Sequence, residues 1–391
     1  MKILQIIPSI SLIYGGPSQM VIGLSSALAK AGEEVTIITT DSNGDFGQVP
    51  LDVPLNQPIK QDGCEYEIIY FRCAPFRRYK FSLNLLKWLK NNAKNFDIAH
   101  IHALFSPVSS AAATVCRQQN LPYILRPLGT LDPADLQKKK QLKKLYVQLI
   151  ERRNIAGAAA LHFTSEQEAK ISARFGVTTK DLVIPLGVNP PQINTEEVWS
   201  KLNIPNDKPV ILFMSRIDPK KGLELLIPAL ETVLTAGFDF HFVLAGTNPQ
   251  DPAYEAKIQS AIENSSLNLC TTITGFVTGK VKITLLKYAD LFVLPSYYEN
   301  FGIAVAEAMV AGTPVVISDQ VHIYQQVIDS ESGWVGTTDV ESLVDLLTTA
   351  LSNAQERQRR GLNAQKYALQ NFSWDAIAQQ VINAYQEIIT D

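Results

Sequence analysis

Residues 291–318 read LFVLPSYYENFGIAVAEAMVAGTPVVIS, and this stretch decides the fold class. Leu291–Leu294 and Pro314–Ser318 are short apolar runs, and such runs favour buried strands. Between them, Ile303–Val310 has the length and composition of a helix, and Gly312 ends it. A strand, a helix and a second strand in this order form a βαβ unit, whose two strands are parallel.

Two series of such units run along the chain, and a proline-rich segment near residues 185–196 separates them. The first series predicts strands and helices at Lys2–Ile7, Ser18–Ala31, Glu34–Thr39, Ile98–Ile101, Pro107–Gln119 and Tyr123–Arg126. The second adds Pro209–Met214, Leu223–Ala236 and Phe240–Ala245. Alternating strands and helices favour parallel sheets with helices on both faces. The sequence therefore predicts an α/β fold with two Rossmann-like domains that face each other across a cleft, where ligands bind at the carboxyl ends of the strands.

Composition restricts the class of protein. The chain has 391 residues, of which 46% are hydrophobic and 19% charged, so it can form two or three packed domains and is neither disordered nor fibrous. The net charge of -3 argues against nucleic-acid binding by electrostatics. Residues 1–195 hold 22 Lys and Arg against 15 Asp and Glu, whereas residues 196–391 hold 13 against 23. This asymmetry favours two bodies with different partners, the basic one facing an anionic acceptor or a membrane surface.

The cysteines and the apolar runs bear on location. The four cysteines are scattered without zinc-ligand spacing, which favours a reducing, cytoplasmic compartment. No run of about 20 apolar residues is long enough to span a bilayer. We therefore expect a cytoplasmic protein.

The loop and helix after Leu294 carry the clearest chemical signal. Glu299 precedes the helix and Glu307 lies more than one turn inside it. Backbone N–H groups at a helix start favour phosphate or oxygen-rich ligands, and a carboxylate can accept two hydrogen bonds from a vicinal diol. The alternative is a helix-capping Glu299 and a solvated Glu307. We favour ligand binding because the helix AVAEAMVAG is otherwise apolar and a buried glutamate needs partners.

The segment RIDPKKG at 216–222 carries a second signal. Arg216 and Lys221 flank a proline turn after a predicted strand, and a guanidinium with an ammonium suits a diphosphate. Ordinary surface charges are the alternative, which we prefer for Lys220. A third signal, YGGPS at 14–18, lets a backbone approach an anion closely, although a simple tight turn explains it equally well. It does not match the dinucleotide pattern GxGxxG.

These motifs, together with AGTPVVISD at 311–319, resemble the family 4 retaining glycosyltransferases of the GT-B fold. The resemblance covers nearly the whole chain and is strongest over residues 209–336. It implies an acceptor-side domain of residues 1–190, completed by a carboxyl-terminal helix at 372–391, and a nucleotide-sugar donor domain of residues 191–371.

The resemblance also implies roles for individual residues. The catalytic residues would be Arg216 and Lys221, which hold the donor diphosphate, and Glu299, which contacts hydroxyls of the donor sugar. Glu307 would bind the ribose diol. The remaining donor-binding residues would be Gly16, Gly246, Val277, Asn300, Phe301 and Gly302.

The chain departs from the family pattern in one place. Many relatives carry a histidine after the strand equivalent to Tyr123–Arg126, where this sequence reads RPLGT. Arg126 or His102 would substitute on the acceptor side, although a packed, hydrogen-bonded role at the strand end is at least as good an interpretation of each histidine. No Asp-x-Asp pattern for a divalent ion is found, so we expect neither a metal nor a cofactor.

The expected reaction is transfer of a hexose to a glycan or lipid-linked saccharide with retention of the anomeric configuration, in polysaccharide biosynthesis. UDP-glucose is the expected donor, because UDP and glucose are frequent within the family. Alternatives are a nucleotide-sugar epimerase on the same architecture and a non-catalytic sugar-binding protein.

Lys138–Arg153 is basic, and its residues Leu142, Leu145, Tyr146, Leu149 and Ile150 share one helical face. We prefer a helix packed on its domain by that face, with peripheral contact to an anionic membrane as the alternative.

Overall fold

The computed structural model describes residues 1–45, 48–60, 63, 65–74, 80–137, 140–190, 196–202 and 204–390. It divides into two compact units. Unit 1 comprises Met1–Gly187 and Trp374–Asp391, and unit 2 comprises Val188–Ser373. The predicted limits were 1–190 with 372–391 for one domain and 191–371 for the other.

Unit 1 is built on an eight-stranded sheet of order β3-β4-β2-β1-β5-β6-β7-β8, in which only β3 is antiparallel to its neighbour. Its strands are β1 (Lys2–Ile6), β2 (Glu34–Thr40), β3 (Pro58–Lys60), β4 (Glu67–Phe71), β5 (Ile98–His102), β6 (Tyr123–Arg126), β7 (Ala160–Phe163) and β8 (Asp181–Val183). Its helices are α1 (Gly16–Lys30), α2 (Leu83–Asn92), α3 (Pro107–Gln118), α4 (Pro133–Gln137), α5 (Lys140–Tyr146), α6 (Arg152–Gly157), α7 (Glu166–Ile171) and α16 (Trp374–Thr390).

Unit 2 contains an all-parallel six-stranded sheet of order β11-β10-β9-β12-β13-β14. Its strands are β9 (Val210–Met214), β10 (His241–Ala245), β11 (Thr271–Gly275), β12 (Leu291–Leu294), β13 (Val315–Ser318) and β14 (Gly333–Gly336). Its helices are α8 (Glu196–Ser200), α9 (Leu223–Thr235), α10 (Pro252–Glu263), α11 (Gly279–Tyr288), α12 (Ile303–Ala311), α13 (Tyr324–Asp329), α14 (Val340–Ser352) and α15 (Ala354–Asn371).

The central strands follow from their composition. β9, β10 and β12 are buried along their whole length, as expected for parallel strands covered on both faces. In unit 1 two apolar clusters lie on opposite faces of the sheet, and residues of α1 and α16 complete one of them. The carboxyl-terminal helix α16 is therefore part of the unit 1 core.

The packing prediction for the basic segment is wrong for the three leucines of its predicted apolar face. Leu142, Leu145 and Leu149 are 64%, 53% and 62% exposed, whereas Val147 and Glu151 are buried. The other two residues of the predicted face, Tyr146 and Ile150, are half-buried, and a π-helical turn at Val147–Glu151 changes the phase of the helix directly after Tyr146. Lys138 and Lys139, at the start of this segment, lie outside the described residues. Across the described chain, no helix combines the length and apolar character that spanning a membrane requires.

Candidate active site

The topology of unit 2 defines where a ligand would bind. Relative to chain order, its strands are arranged 3-2-1-4-5-6, so the connections from β9 and from β12 leave the sheet in opposite directions. In open parallel sheets, ligands bind at the carboxyl ends of the strands beside such a switch point. Arg216 and Lys221 follow β9, and Glu299 follows β12, so the sequence-predicted residues flank this point.

The two loops at the switch point touch through their backbones. Gly222 has a φ of +73°, and a Cβ atom there would lie 2.1 Å from the Pro295 carbonyl oxygen. The Tyr297 N–H also donates to the Lys220 carbonyl at 2.8 Å. Only glycine satisfies both the left-handed backbone and this close approach. The glycine after Lys221 therefore fixes the distance between the loop after β9 and the loop after β12.

Lys221 and Glu299 form an ion pair across this contact. Their side chains are 14% and 23% exposed, so both charges are mostly shielded from water. The backbone of Glu299 is fixed as well, since its N–H donates to the Gln320 carbonyl at 3.0 Å and its carbonyl accepts from His322 at 2.9 Å. The structure thus brings together the predicted diphosphate cation and the predicted sugar-binding carboxylate.

Arg216 is held more loosely than Lys221. Its side chain is 46% exposed, and its Nε lies 3.7 Å from the Asp218 carboxylate. A terminal nitrogen lies 3.4 Å from the Gln250 side-chain oxygen. Both contacts are long, so the guanidinium can turn to an anion without breaking a short hydrogen bond.

The amino terminus of α12 lies beside this ion pair and lacks a side-chain cap. Gly302 occupies the N-cap position with a φ of +78°, and no side-chain oxygen accepts from the first N–H groups. Those groups carry the positive end of the helix dipole. Asn300 is half-buried just before the turn, whereas Phe301 is buried and stacks edge-on against Phe372. Any ligand role of Phe301 is therefore confined to its backbone.

Glu307 has a partner that the sequence analysis missed. The Lys282 Nζ donates to Glu307 Oε1 at 2.6 Å, and the two side chains are 32% and 22% exposed. Lys282 lies on α11, and nothing in its local sequence distinguishes it from the neighbouring Lys280 and Lys287. The pair leaves the second oxygen of Glu307 for another group.

Two further predicted residues end neighbouring strands. Gly246 follows β10 with a φ of +142°, and a Cβ atom there would lie 1.9 Å from the Ser215 carbonyl oxygen. Its N–H donates to Gly275 at 2.8 Å, which ties the ends of β10 and β11 together. Val277 lies two residues beyond β11 and is half-buried, beside a 75% exposed Phe276. Both positions are thus at the same carboxyl edge of the unit 2 sheet.

The other predicted residues belong to unit 1. Gly16 is the first residue of α1, preceded by Gly15 at a φ of +66° with no side-chain cap. His102 and Arg126 end the neighbouring strands β5 and β6 in direct register, and both are buried. The His102 Nε2 is hydrogen-bonded to the Gln5 side chain at 2.7 Å, as in the packed interpretation of this residue. Burial, followed by the charge of Arg126, holds the pKa of His102 well below 6.5.

Within the described ranges, no three His, Cys, Asp or Glu side chains lie close enough together to hold a metal ion. The positive charge available at the unit 2 switch point comes from Arg216, Lys221, Lys282 and the start of α12.

Comparison with known proteins connects this geometry to a family. Residues 194–367 match the family described as "Glycosyl transferases group 1". Residues 15–187 match the family described as "Glycosyl transferase 4-like domain". The two matches correspond closely to units 2 and 1.

Individual relatives agree with this match. The uncharacterized glycosyltransferase MJ1607 of Methanocaldococcus jannaschii is 30% identical over 217 residues, and the match covers 52% of this chain and about half, 53%, of that protein. Sucrose-phosphate synthase from Thermosynechococcus elongatus has a TM-score of 0.78 at 23% identity and covers 100% of this chain and 99% of its own. Anabaena Alr3699/HepE in complex with UDP and glucose has a TM-score of 0.71 at 19% identity, covering 99% and 100%.

The structural similarity establishes the fold, and the family matches identify the type of each domain. The neighbours have the GT-B fold, in which two Rossmann-like domains make up the molecule. The two family matches together span most of the chain, which therefore combines a glycosyl transferase 4-like domain with a glycosyl transferases group 1 domain.

Proposed function

We propose that the protein transfers a hexose from a nucleotide diphosphate sugar to a saccharide acceptor with retention at the anomeric carbon. The observation that carries the proposal is the arrangement at the unit 2 switch point, where Lys221 pairs with Glu299 beside the uncapped start of α12. Cations and N–H groups suit a diphosphate, and carboxylates suit sugar hydroxyls.

Departure of the diphosphate is the part of the reaction that most needs stabilisation by the protein. As the bond from the anomeric carbon to the diphosphate breaks, negative charge grows on the phosphate oxygens. Arg216 and Lys221 stabilise that charge together with the N–H groups of Ile303 and Ala304 at the start of α12. A diphosphate that draws Lys221 towards itself also releases the Glu299 carboxylate, which then accepts hydrogen bonds from the donor sugar.

Glu307 recognises the nucleotide. Its carboxylate oxygens accept from the two ribose hydroxyls, and the hydrogen bond from Lys282 orients it. UDP is the proposed nucleotide and glucose the proposed sugar. In support, Anabaena Alr3699/HepE has the same fold and is described in complex with UDP and glucose.

Retention follows from attack on the side of the leaving group. The acceptor hydroxyl forms its bond to the anomeric carbon as the bond to the diphosphate breaks, and its proton passes to a phosphate oxygen. A double displacement needs a carboxylate poised at the anomeric carbon. The released Glu299 carboxylate accepts hydrogen bonds from the sugar hydroxyls, so it is given a hydroxyl-binding role rather than that of a nucleophile.

The proposal is tested by incubating the protein with UDP-glucose and a panel of saccharides. Acceptor-dependent release of UDP and a product whose anomeric configuration matches the donor, read by proton NMR, are expected. An isomerised nucleotide sugar without acceptor would favour the epimerase instead. Activity that EDTA abolishes and Mn²⁺ restores would contradict the proposed independence from metals.

A membrane-bound acceptor is the finer part of this proposal, in the setting of polysaccharide biosynthesis at the cytoplasmic membrane face. The three exposed leucines of residues 142–149 lie beside the exposed cations Lys144, Arg152 and Arg153, and this combination suits the interface of an anionic bilayer. Flotation with vesicles rich in phosphatidylglycerol should recover the protein, and replacing the three leucines by serine should abolish recovery. Equal recovery with neutral vesicles would contradict it.

A further inference from the structure

Unit 1 contains a buried polar cluster that the catalytic proposal does not use. In-register pairing places Gln5 on β1, His100 and His102 on β5, Arg126 on β6 and His162 on β7, all on one face of the sheet. Tyr385 of α16 covers that face. Every one of these side chains is at most 3% exposed.

The histidine tautomers follow from a single backbone carbonyl. The His162 Nε2 lies 2.8 Å from the Ile184 carbonyl oxygen, which can only accept, so Nε2 carries the proton. Burial holds the pKa of His162 at about 3, so this ring is neutral and its Nδ1 can only accept. The His100 Nε2, 3.2 Å from that Nδ1, is therefore the donor.

The same logic continues to the end of β5. Because His100 is neutral as well, its Nδ1 accepts from the Tyr385 hydroxyl at 2.7 Å. The Tyr385 oxygen then accepts from the Gln5 side-chain nitrogen at 3.3 Å, and the Gln5 oxygen accepts from His102 Nε2 at 2.7 Å. His102 Nδ1 is left as a bare lone pair, buried and without a partner in the described structure.

Arg126 is the only charged member of the cluster. No ion pair to Arg126 and no hydrogen bond of its guanidinium is found among the described residues, and its buried Nε is without a partner. Burial lowers the pKa of Arg126 to about 10, so it remains a cation at neutral pH. The surrounding imidazoles are neutral and cannot offset this charge.

The negative charge of Glu168 raises the pKa of Arg126, but this carboxylate makes its hydrogen bonds with other groups. Glu168 accepts at one oxygen from the Thr164 N–H at 2.8 Å and from the Thr164 hydroxyl at 2.7 Å. Its other oxygen accepts from the Gly129 N–H at 3.2 Å. An unpaired buried charge is costly, so a site that retains one is a candidate for binding the opposite charge.

The backbone around Arg126 supports a binding role. Ala103 follows His102 with a φ of +68°, and Leu128 follows Arg126 by two residues with a φ of +57°. Neither is glycine, and such strained residues concentrate at ligand sites. The two loops are joined, since the Ala103 N–H donates to the Arg126 carbonyl at 3.1 Å.

We propose that Arg126 binds an oxyanion carried by the acceptor saccharide, a sugar phosphate or a uronate, at the carboxyl edge of the unit 1 sheet. The identification of the ligand as the acceptor rests on the proposed function, because that function assigns the donor diphosphate to unit 2. The neutral histidines surround Arg126 without pairing with it and leave its charge for the ligand, and the cluster presents the unpaired acceptor His102 Nδ1.

The test measures binding by isothermal titration of the full chain with glucose 6-phosphate, glucuronate, glucose and UDP. The wild-type protein should bind the two charged sugars more tightly than glucose. Arg126→Met should weaken binding of the charged sugars about 10- to 100-fold and leave the affinity for UDP unchanged. Arg126→Lys should restore part of the loss, since it returns the charge without the planar fork.

A matched control comes from the second buried arginine, Arg357, which donates to the Ala350 and Leu351 carbonyls at 2.8 and 2.9 Å. Arg357→Met should lower the midpoint of thermal unfolding, whereas Arg126→Met should maintain or raise it without ligand. Equal losses in both variants, or anion affinity unchanged in Arg126→Met and Arg126→Lys, would overturn the proposal. Failure of the wild-type protein to prefer charged sugars would overturn it too, whereas failure to bind UDP would instead contradict the proposed donor site.

Discussion

The two units carry cations at the carboxyl ends of parallel strands, but in opposite settings. In unit 2, Arg216, Lys221 and Lys282 each have a carboxylate within 4.0 Å, and their side chains are 14–46% exposed. In unit 1, Arg126 is 3% exposed among neutral imidazoles, with no such carboxylate among the described residues. The first setting is a set of exchangeable ion pairs, and the second is a fixed, unpaired charge.

The difference bears on how each unit would respond to a ligand. Lys221 already has a carboxylate partner, so an anion that binds Lys221 replaces an existing interaction instead of supplying the first one. A buried cation without a partner lowers stability until an anion arrives. Unit 2 is therefore expected to exchange partners on binding, whereas unit 1 is expected to gain one.

The largest expected effect is on catalysis in unit 2. Lys221→Ala should lower kcat about 100- to 1,000-fold, because it removes a cation from the developing charge of the leaving diphosphate. Lys220→Ala is the matched control, since Lys220 is the adjacent, exposed lysine. Steady-state UDP release measures both. Similar rates for the two variants would remove Lys221 from the proposed mechanism.

Lys221 also shows what the sequence could predict. Glycine and proline mark the loops after β9 and β12, and strand ends of a parallel sheet share one edge, so the pattern predicted Lys221 and Glu299 at that edge. Their roles toward one donor came from the family resemblance. Lys282 could not be predicted in this way. Its partner Glu307 lies 25 residues away on another helix, and the pairing depends on how α11 packs beside α12.

The next largest effect tests the contact that fixes the ion pair. Gly222→Ala should destabilise unit 2 by about 1–2 kcal/mol for the left-handed backbone, and by more for the contact of Cβ with the Pro295 carbonyl. Gly237→Ala is the control, because Gly237 has a φ of +92° but no atom within 4 Å of the added Cβ. Urea unfolding of both variants measures the difference. An equal loss in the two would show that the close approach of the loops is not required.

A smaller effect separates binding from positioning. Glu307→Gln should raise the KM for the nucleotide sugar about 10- to 100-fold, because a neutral amide accepts more weakly from a ribose diol. Lys282→Met should raise it by less, since Glu307 loses an orienting partner but retains its charge. Both variants are measured with UDP-glucose and with UDP alone. A larger effect for Lys282→Met would assign the direct contact to Lys282 instead.

Unit 1 shows where sequence reasoning reaches its limit. The pattern His100-Ile101-His102 placed two histidines at a strand end, and both interpretations of them, a ligand-binding and a packed one, were open. The deciding partner of His100 is Tyr385, 285 residues further along the chain on α16. The charge state of the cluster depends on its burial by α16, and this burial cannot be predicted from any local motif.

The smallest expected effect tests that charge state through pH. Burial holds the pKa values of His100, His102 and His162 below 6.5, so the unfolded chain binds more protons than the folded one below that pH. Stability is therefore fully present above about pH 6.5 and falls as the pH falls, by about 1.4 kcal/mol per pH unit for each histidine. For His162 the loss continues down to its folded pKa of about 3.

His162→Gln isolates one of these contributions. Glutamine can still donate to the Ile184 carbonyl but does not titrate, so the variant should lose less stability on acidification by about 1.4 kcal/mol per pH unit. Hydrogen exchange of the β5 and β6 amides at pH 6.5 and 5.5, corrected for intrinsic rates, measures this within unit 1. A slope identical to that of the wild-type protein would mean that His162 is protonated in the fold. The forced tautomers would then have to be abandoned, because an imidazolium at His162 donates from both nitrogens, so that His100 Nε2 would accept and His100 Nδ1 would donate to Tyr385.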